Sequence, residues 1–138
     1  MTAITDHIVH YFETLSPEAL VRLDEIYAEQ AHFKDPFNEV QGIPAIRHIF
    51  EHMYAQLENP RFVITERIEQ AHGAMLGWDF HLKLRGQPTI VRGVTHLQWN
   101  AEGKITLHRD YWDPAEELYS KLPVLGALMR WLRARLAA

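Results

Sequence analysis

The sequence predicts an α+β fold in which helices pack on a curved antiparallel sheet, and three observations carry that expectation. Helix-period segments occupy the chain up to about Pro60. From Arg61 onward the apolar period drops to two and holds through four successive runs, the pattern of a meander of long strands. A last helical run, Leu122 to Leu136, closes the chain. Helices first, then strands, then a helix is the order of an α+β protein, in which helices cover one face of a sheet built from neighbouring hairpins.

Each element has its own local reason. Ile4, Ile8, Tyr11 and Leu15 fall within roughly 60° of one another at ~100° per residue, one stripe of an amphipathic helix with Tyr11 at its middle. Ser16 and Pro17 form an N-cap and first-turn pair that opens a second helix to about Glu29, with Leu20, Leu23 and Tyr27 on its apolar side. The two helices form a hairpin. In AHFKDP, Pro36 disfavours helical backbone at Asp35, so the segment is expected to be extended, with Phe33 and Asp35 on one face. Gly42 and Pro44 announce a third helix carrying Ile46, Ile49, Phe50, Met53 and Leu57, and Asn59-Pro60 stops it.

Phe62 to Gln70 reads as the first strand of the meander, with a turn at His72-Gly73. In the next run Leu76, Trp78, Phe80, Leu82 and Leu84 alternate with Gly77, Asp79, His81, Lys83 and Arg85, which gives a large aromatic inner face. Gly86 to Pro88 turn the chain into Thr89 to Trp99, where Val91, Thr95, Leu97 and Trp99 oppose Arg92, Val94, His96 and Gln98. Asn100 to Lys104 is a hairpin loop leading to the last strand, which Pro114 ends.

At 138 residues the chain is expected to form a single domain, residues 1–138, with a real core. A net charge of −4 supplies no basic field to gather nucleic acid or an anionic membrane. The absence of cysteine excludes disulfides, thiol catalysis and thiolate-bound metals. No segment is long and apolar enough to span a bilayer, and the N-terminal residues do not form a signal peptide, so the expected setting is the cytoplasm.

The stretch most demanding of explanation is Ile105 to Pro114, ITLHRDYWDP. At period two His108, Asp110 and Trp112 share one face, and a strand that buries a histidine and a carboxylate must hydrogen-bond them, desolvate them at a cost of several kcal/mol, or use them. Two residues along a strand separate their Cα atoms by roughly 6.6 Å, so direct pairing is awkward and a water or ligand shared between them is expected. Phe50, Trp78, Phe80, Leu82, Leu97, Trp99 and Trp112 supply a hydrocarbon wall suited to a bulky, apolar, cyclic ligand.

The motifs YFETLSPEALVRL, AHFKDPFNEVQGIPAIRHIF and VTHLQWNAEGKITLHRDYWD, which span nearly the whole chain, resemble the nuclear transport factor 2-like superfamily. That superfamily includes SnoaL-like polyketide cyclases, ketosteroid isomerases and limonene epoxide hydrolases. The resemblance implies a cone-shaped barrel, its sheet curled around the third helix with a deep pocket at one end. Set against the ketosteroid isomerases, it places Asp35 at the general base and Tyr11 at the oxyanion-hole tyrosine, with Thr95 where those enzymes keep a protonated aspartic acid. The last strand instead carries His108 and Asp110 where the isomerases are apolar, and an acid on that strand is the base in the SnoaL-like cyclases. The chemistry implied is cofactor-free proton transfer, with Asp110 or Asp35 as base, His108 as its acid-base partner and Tyr11 as donor to a developing enolate.

Three other patterns carry rival functions. HIFEH, His48 to His52, has the spacing of an inverted zincin, but on a helix both histidines lie opposite Phe50 and Met53, so no metal is expected. Arg130, Arg133 and Arg135 against Leu125, Leu128, Leu132 and Leu136 make the closing helix amphipathic, and packing on the barrel or across a dimer is expected in place of a membrane surface. Arg92, His96, Arg109 and Tyr111 form a polar-aromatic outer sheet face, which in the superfamily is commonly the surface of a homodimer. The alternative to an enzyme is a non-catalytic binding or assembly module that holds the same small apolar ligand.

Overall fold

A computed structural model describes residues 2–84, 86–119 and 123–136. Helix α1 (Thr2–Glu13) buries Ile8, Val9, Tyr11 and Phe12, a face wider than the expected stripe, with Ile4 and Leu15 packed at its rim. Ser16 then accepts a hydrogen bond from the Ala19 amide at 3.2 Å and opens the turn that follows. That turn, Pro17–Glu25, is a 3-10 helix broken at Arg22 and not the α-helix to Glu29 that the spacing predicts. Tyr27, expected on its apolar side, instead begins strand β1 (Tyr27–Lys34). Tyr27, Ala31 and Phe33 are all buried at even spacing, so the same residues satisfy a strand, and sheet pairing outweighs a weak helical preference.

Strand β2 (Glu39–Gln41) pairs back on β1. Gly42 takes φ 95°, a backbone that side-chain-bearing residues rarely adopt, and so turns the chain into helix α2 (Ile43–Gln56). Ile46 and Phe50 are the buried residues of α2, while His48 and His52 face solvent. Strand β3 (Glu58–Gln70) starts earlier than expected, because Asn59 at φ 48° and a bulge between Glu58 and Arg61 admit Pro60 on an edge strand.

Strands β4 (Gly73–Leu84), β5 (Gln87–Trp99) and β6 (Ile105–Tyr111) complete an antiparallel meander with β3. The sheet order is β2-β1-β6-β5-β4-β3, and β1 runs parallel to β6. The antiparallel expectation thus holds for the meander and not for this pair, whose partners are remote in sequence. The sheet's inner face packs against α1 and α2, and the main core lies between them, from Ile8 and Leu23 to Leu97 and Ile105.

Helix α3 (Pro114–Glu117), capped by Asp113, follows β6. The buried Glu117 carboxylate accepts hydrogen bonds from the Arg92 backbone amide at 2.9 Å and guanidinium Nε at 3.1 Å, which ties α3 to β5. On helix α4 (Pro123–Leu136), Leu128 and Trp131 are exposed, and the Arg135 guanidinium lies 5.0 Å from the Trp131 ring centre. The side chains of Leu125, Leu132, Arg133 and Leu136, and of Leu84 and Arg85, lie outside the described residues.

Candidate functional site

The central rows of the sheet position the site. Leu76, Thr95 and Asp110 are successive partners across β4, β5 and β6, and Phe33, His108 and Leu97 form the next row across β1, β6 and β5. Alternation turns these side chains inward, and they meet Phe12 from α1 and Phe50 from α2 across a cavity. Phe62, Ile64 and Trp78 complete the wall, so that four aromatic rings surround two ionisable groups. The empty space amounts to about 380 Å³, of which about 30 Å³ admits the centre of a water molecule.

Asp110 and His108 form a direct pair, with Nε2 and Oδ1 2.8 Å apart. Their spacing along the strand made this awkward in prospect, yet the imidazole reaches along β6 and closes the gap. Its other nitrogen, Nδ1, lies 2.6 Å from the hydroxyl of Tyr27. Burial raises the Tyr27 phenol well above its ordinary value, and the Asp110 charge adds to that shift, so the phenol keeps its proton. The imidazole thus bridges the Tyr27 hydroxyl and the Asp110 carboxylate through its two nitrogens. Rings hold the imidazole in place: Phe33 lies 4.6 Å away centre to centre, Phe12 5.6 Å edge-on and Tyr27 5.9 Å stacked.

Thr95 supplies the second bond to the same carboxylate oxygen, donating from Oγ1 to Asp110 Oδ1 at 2.6 Å. Thr95 in turn accepts from the indole Nε1 of Trp78 at 2.7 Å. The five residues therefore form one hydrogen-bonded network, Tyr27, His108 and Asp110 on one side and Trp78 donating to Thr95 and Thr95 to Asp110 on the other. Two donors on Oδ1 suit an ionised carboxylate. Oδ2 has no hydrogen-bond partner among the described residues.

Trp78 owes its place to a glycine. Gly93 is its partner on β5, and a Cβ there would stand 2.5 Å from the indole. The outer edge of the indole therefore occupies the space a side chain would take, with its Nε1 hydrogen-bonded to Thr95.

Other residues expected at the site lie elsewhere. The Asp35 carboxylate accepts from the backbone amides of Phe37 and Asn38 at 2.8 and 2.7 Å, an Asx turn outside the cavity wall. The structure thus places this carboxylate in its own loop and not in the cavity wall, where the resemblance would put a base. The buried Tyr11 hydroxyl donates to the Ala19 carbonyl at 2.8 Å and likewise does not line the cavity. Phe80, Leu82 and Trp112 share the inner face but belong to a second cluster beyond Trp78, Phe80 being stacked on Phe62 and Trp112 set against Phe37. Trp99 lies in the main core, its Nε1 buried without a hydrogen-bond partner among the described residues. A twelve-residue strand is ~40 Å long, and alternation states which face a residue takes, not which part of that length the cavity occupies. Phe12, Phe62, Ile64, Leu76 and Tyr27 were not among the expected site residues. Leu76 stood on the right alternation, whereas Tyr27 had been assigned to a helix. Among the described residues no three His, Asp or Glu side chains are grouped to hold a metal ion.

Residues 8–108 match the sequence model of a family described as the SnoaL-like domain. No curated protein matches the chain. Among solved structures, a protein from Catenulispora acidiphila with a ketosteroid isomerase-like fold, in complex with trimethylamine, is 21% identical, with a TM-score of 0.69 over 83% of this chain and 88% of that one. An NTF2-like protein from Burkholderia pseudomallei is 14% identical, with a TM-score of 0.71 over 83% of this chain and 92% of that one. TerC, co-crystallised with polyporic acid, is 17% identical, with a TM-score of 0.69 over 83% and 92% of the two chains. At these identities the likeness is one of fold.

Proposed function

The chain belongs to the SnoaL-like domain family, and from that premise we propose that it binds a small, largely apolar organic molecule in its cavity and that Asp110 takes a proton from that molecule without a cofactor. One observation carries this reading. Asp110 is an acid in an otherwise mostly apolar wall, held through Oδ1 by Thr95 and His108 while Oδ2 has no hydrogen-bond partner among the described residues. A fixed carboxylate with one unengaged oxygen, among rings that limit water, is suited to general-base work. His108 and Tyr27 serve as positioning residues, since they orient the carboxylate and need not touch the ligand. Trimethylamine and polyporic acid on two relatives of this fold support a small organic occupant here.

A specific feature favours a second reading, binding without chemistry. The side-chain donors around Asp110 are already committed: Trp78 to Thr95, Thr95 and His108 to Asp110, and Tyr27 to His108. None of them is left to steady a developing enolate oxygen. Identification of the ligand retained by purified protein, followed by turnover and affinity of wild type and Asp110→Asn, separates the two. The base reading expects turnover at saturating ligand to fall by ~10² or more. A ligand that wild type leaves unaltered hands the cavity to the binding reading.

We also propose that a second copy of the chain packs on the outer sheet face. Tyr111 is exposed there, with the Arg109 guanidinium 4.6 Å from its ring centre, an aromatic and arginine pairing common at interfaces.

A further inference from the structure

The charges around the cavity narrow the class of ligand, in an argument that rests on the ligand-binding reading of the same site. We infer that the cavity takes a small organic cation, an alkylammonium group whose skin is apolar and whose charge is positive. The geometry gives three reasons. First, Asp110 lines the cavity and is held through Oδ1 by Thr95 and His108, while its Oδ2 has no hydrogen-bond partner among the described residues and is open to a ligand. Second, no lysine or arginine lines the cavity among the described residues. Third, the remaining wall includes the rings of Phe12, Phe50, Phe62 and Trp78, whose faces attract a cation, with Phe62 and Trp78 edge to face at 5.7 Å.

Each alternative ligand meets a physical obstacle. An anion would face the Asp110 carboxylate at close range, with the side-chain donors beside it already engaged. A neutral hydrocarbon would take water from the partly exposed Asp110 carboxylate and give its Oδ2 nothing in return, which costs free energy. A compact cation offsets the carboxylate charge and presents methyl groups to the rings, so one ligand satisfies both halves of the wall. The limited space favours a head group of few atoms.

The test compares three solutes of similar shape: tetramethylammonium, tert-butanol and pivalate. Binding to wild type and to Asp110→Asn is measured by calorimetry and by chemical shifts of the Trp78 indole, with circular dichroism as the check on folding. In wild type, tetramethylammonium is expected to bind at least about tenfold more tightly than tert-butanol, and pivalate to bind weakest. Asp110→Asn is expected to erase the preference for the cation while tert-butanol binding persists. If that variant does not fold, the order of affinities in wild type decides alone. Equal or tighter binding of tert-butanol overturns the cation and leaves a site for neutral ligands, and a cation preference that survives Asp110→Asn overturns the part given to the carboxylate. Failure of all three to bind at millimolar concentration overturns the cation as well, and ligand retained by the purified protein then tests the broader binding reading separately.

Discussion

Asp110 draws its orientation from a network on four strands, Tyr27 on β1, Trp78 on β4, Thr95 on β5 and His108 on β6, with the Tyr27 hydroxyl at its far end. Tyr27→Phe would leave the buried His108 Nδ1 without its partner. The expected cost is ~1–3 kcal/mol of stability, read as a lower urea midpoint with unchanged slope. An unshifted midpoint would mean that Tyr27 does not hold the imidazole. Tyr11 offers a test by pH. Burial pushes its phenol from 10.0 to about 12, so the folded protein keeps this proton at a pH where the unfolded chain has lost it. The stability from that difference is complete below pH 10 and is lost as pH rises towards about 12. Tyr11→Phe is therefore expected to be less stable at neutral pH, where the Ala19 carbonyl loses a donor, and to decline less steeply above pH 10. Denaturant midpoints from pH 8 to 11 check both halves of the statement.

At the scale of elements, the register between β4 and β5 decides how wide the cavity is. Trp78 can lie against β5 only because its partner is Gly93, and Gly93→Ala puts a Cβ within 2.6 Å of two indole carbons. The indole must move away from the strand, towards the cavity and off Thr95. Expected outcomes are a loss of ~1–3 kcal/mol from overpacking, a changed tryptophan emission spectrum and weaker ligand binding. Full stability with wild-type emission would mean that the indole does not rest on this glycine. The loop after β1 shows the opposite relation of element to residue. Asp35 stands where the family resemblance put a base, yet the backbone turn it closes takes up its carboxylate. A resemblance along the chain transfers position, and the local backbone decides where the side chain is aimed.

The scale of the whole molecule carries the prediction of assembly. If a second copy packs on the outer face of the sheet, light scattering at micromolar concentration should give twice the chain mass, and Tyr111→Asp together with Arg109→Asp should give the monomer. A monomeric wild type would sink that proposal. What the sequence determined by itself is the order and type of most elements, because apolar period and turn residues act over a few positions. The alternation of β4, β5 and β6 even named the inward faces that carry Trp78, Thr95, Leu97, His108 and Asp110. Only the tertiary structure decided which part of those faces the cavity occupies, and that Asp35 and Tyr11 are engaged elsewhere. It alone joined Tyr27 to His108 across 81 positions through a parallel pair of strands. The physical reason is that periodicity is a local property of the chain, whereas a hydrogen bond between remote strands depends on register, twist and the packing of helices that cover the sheet.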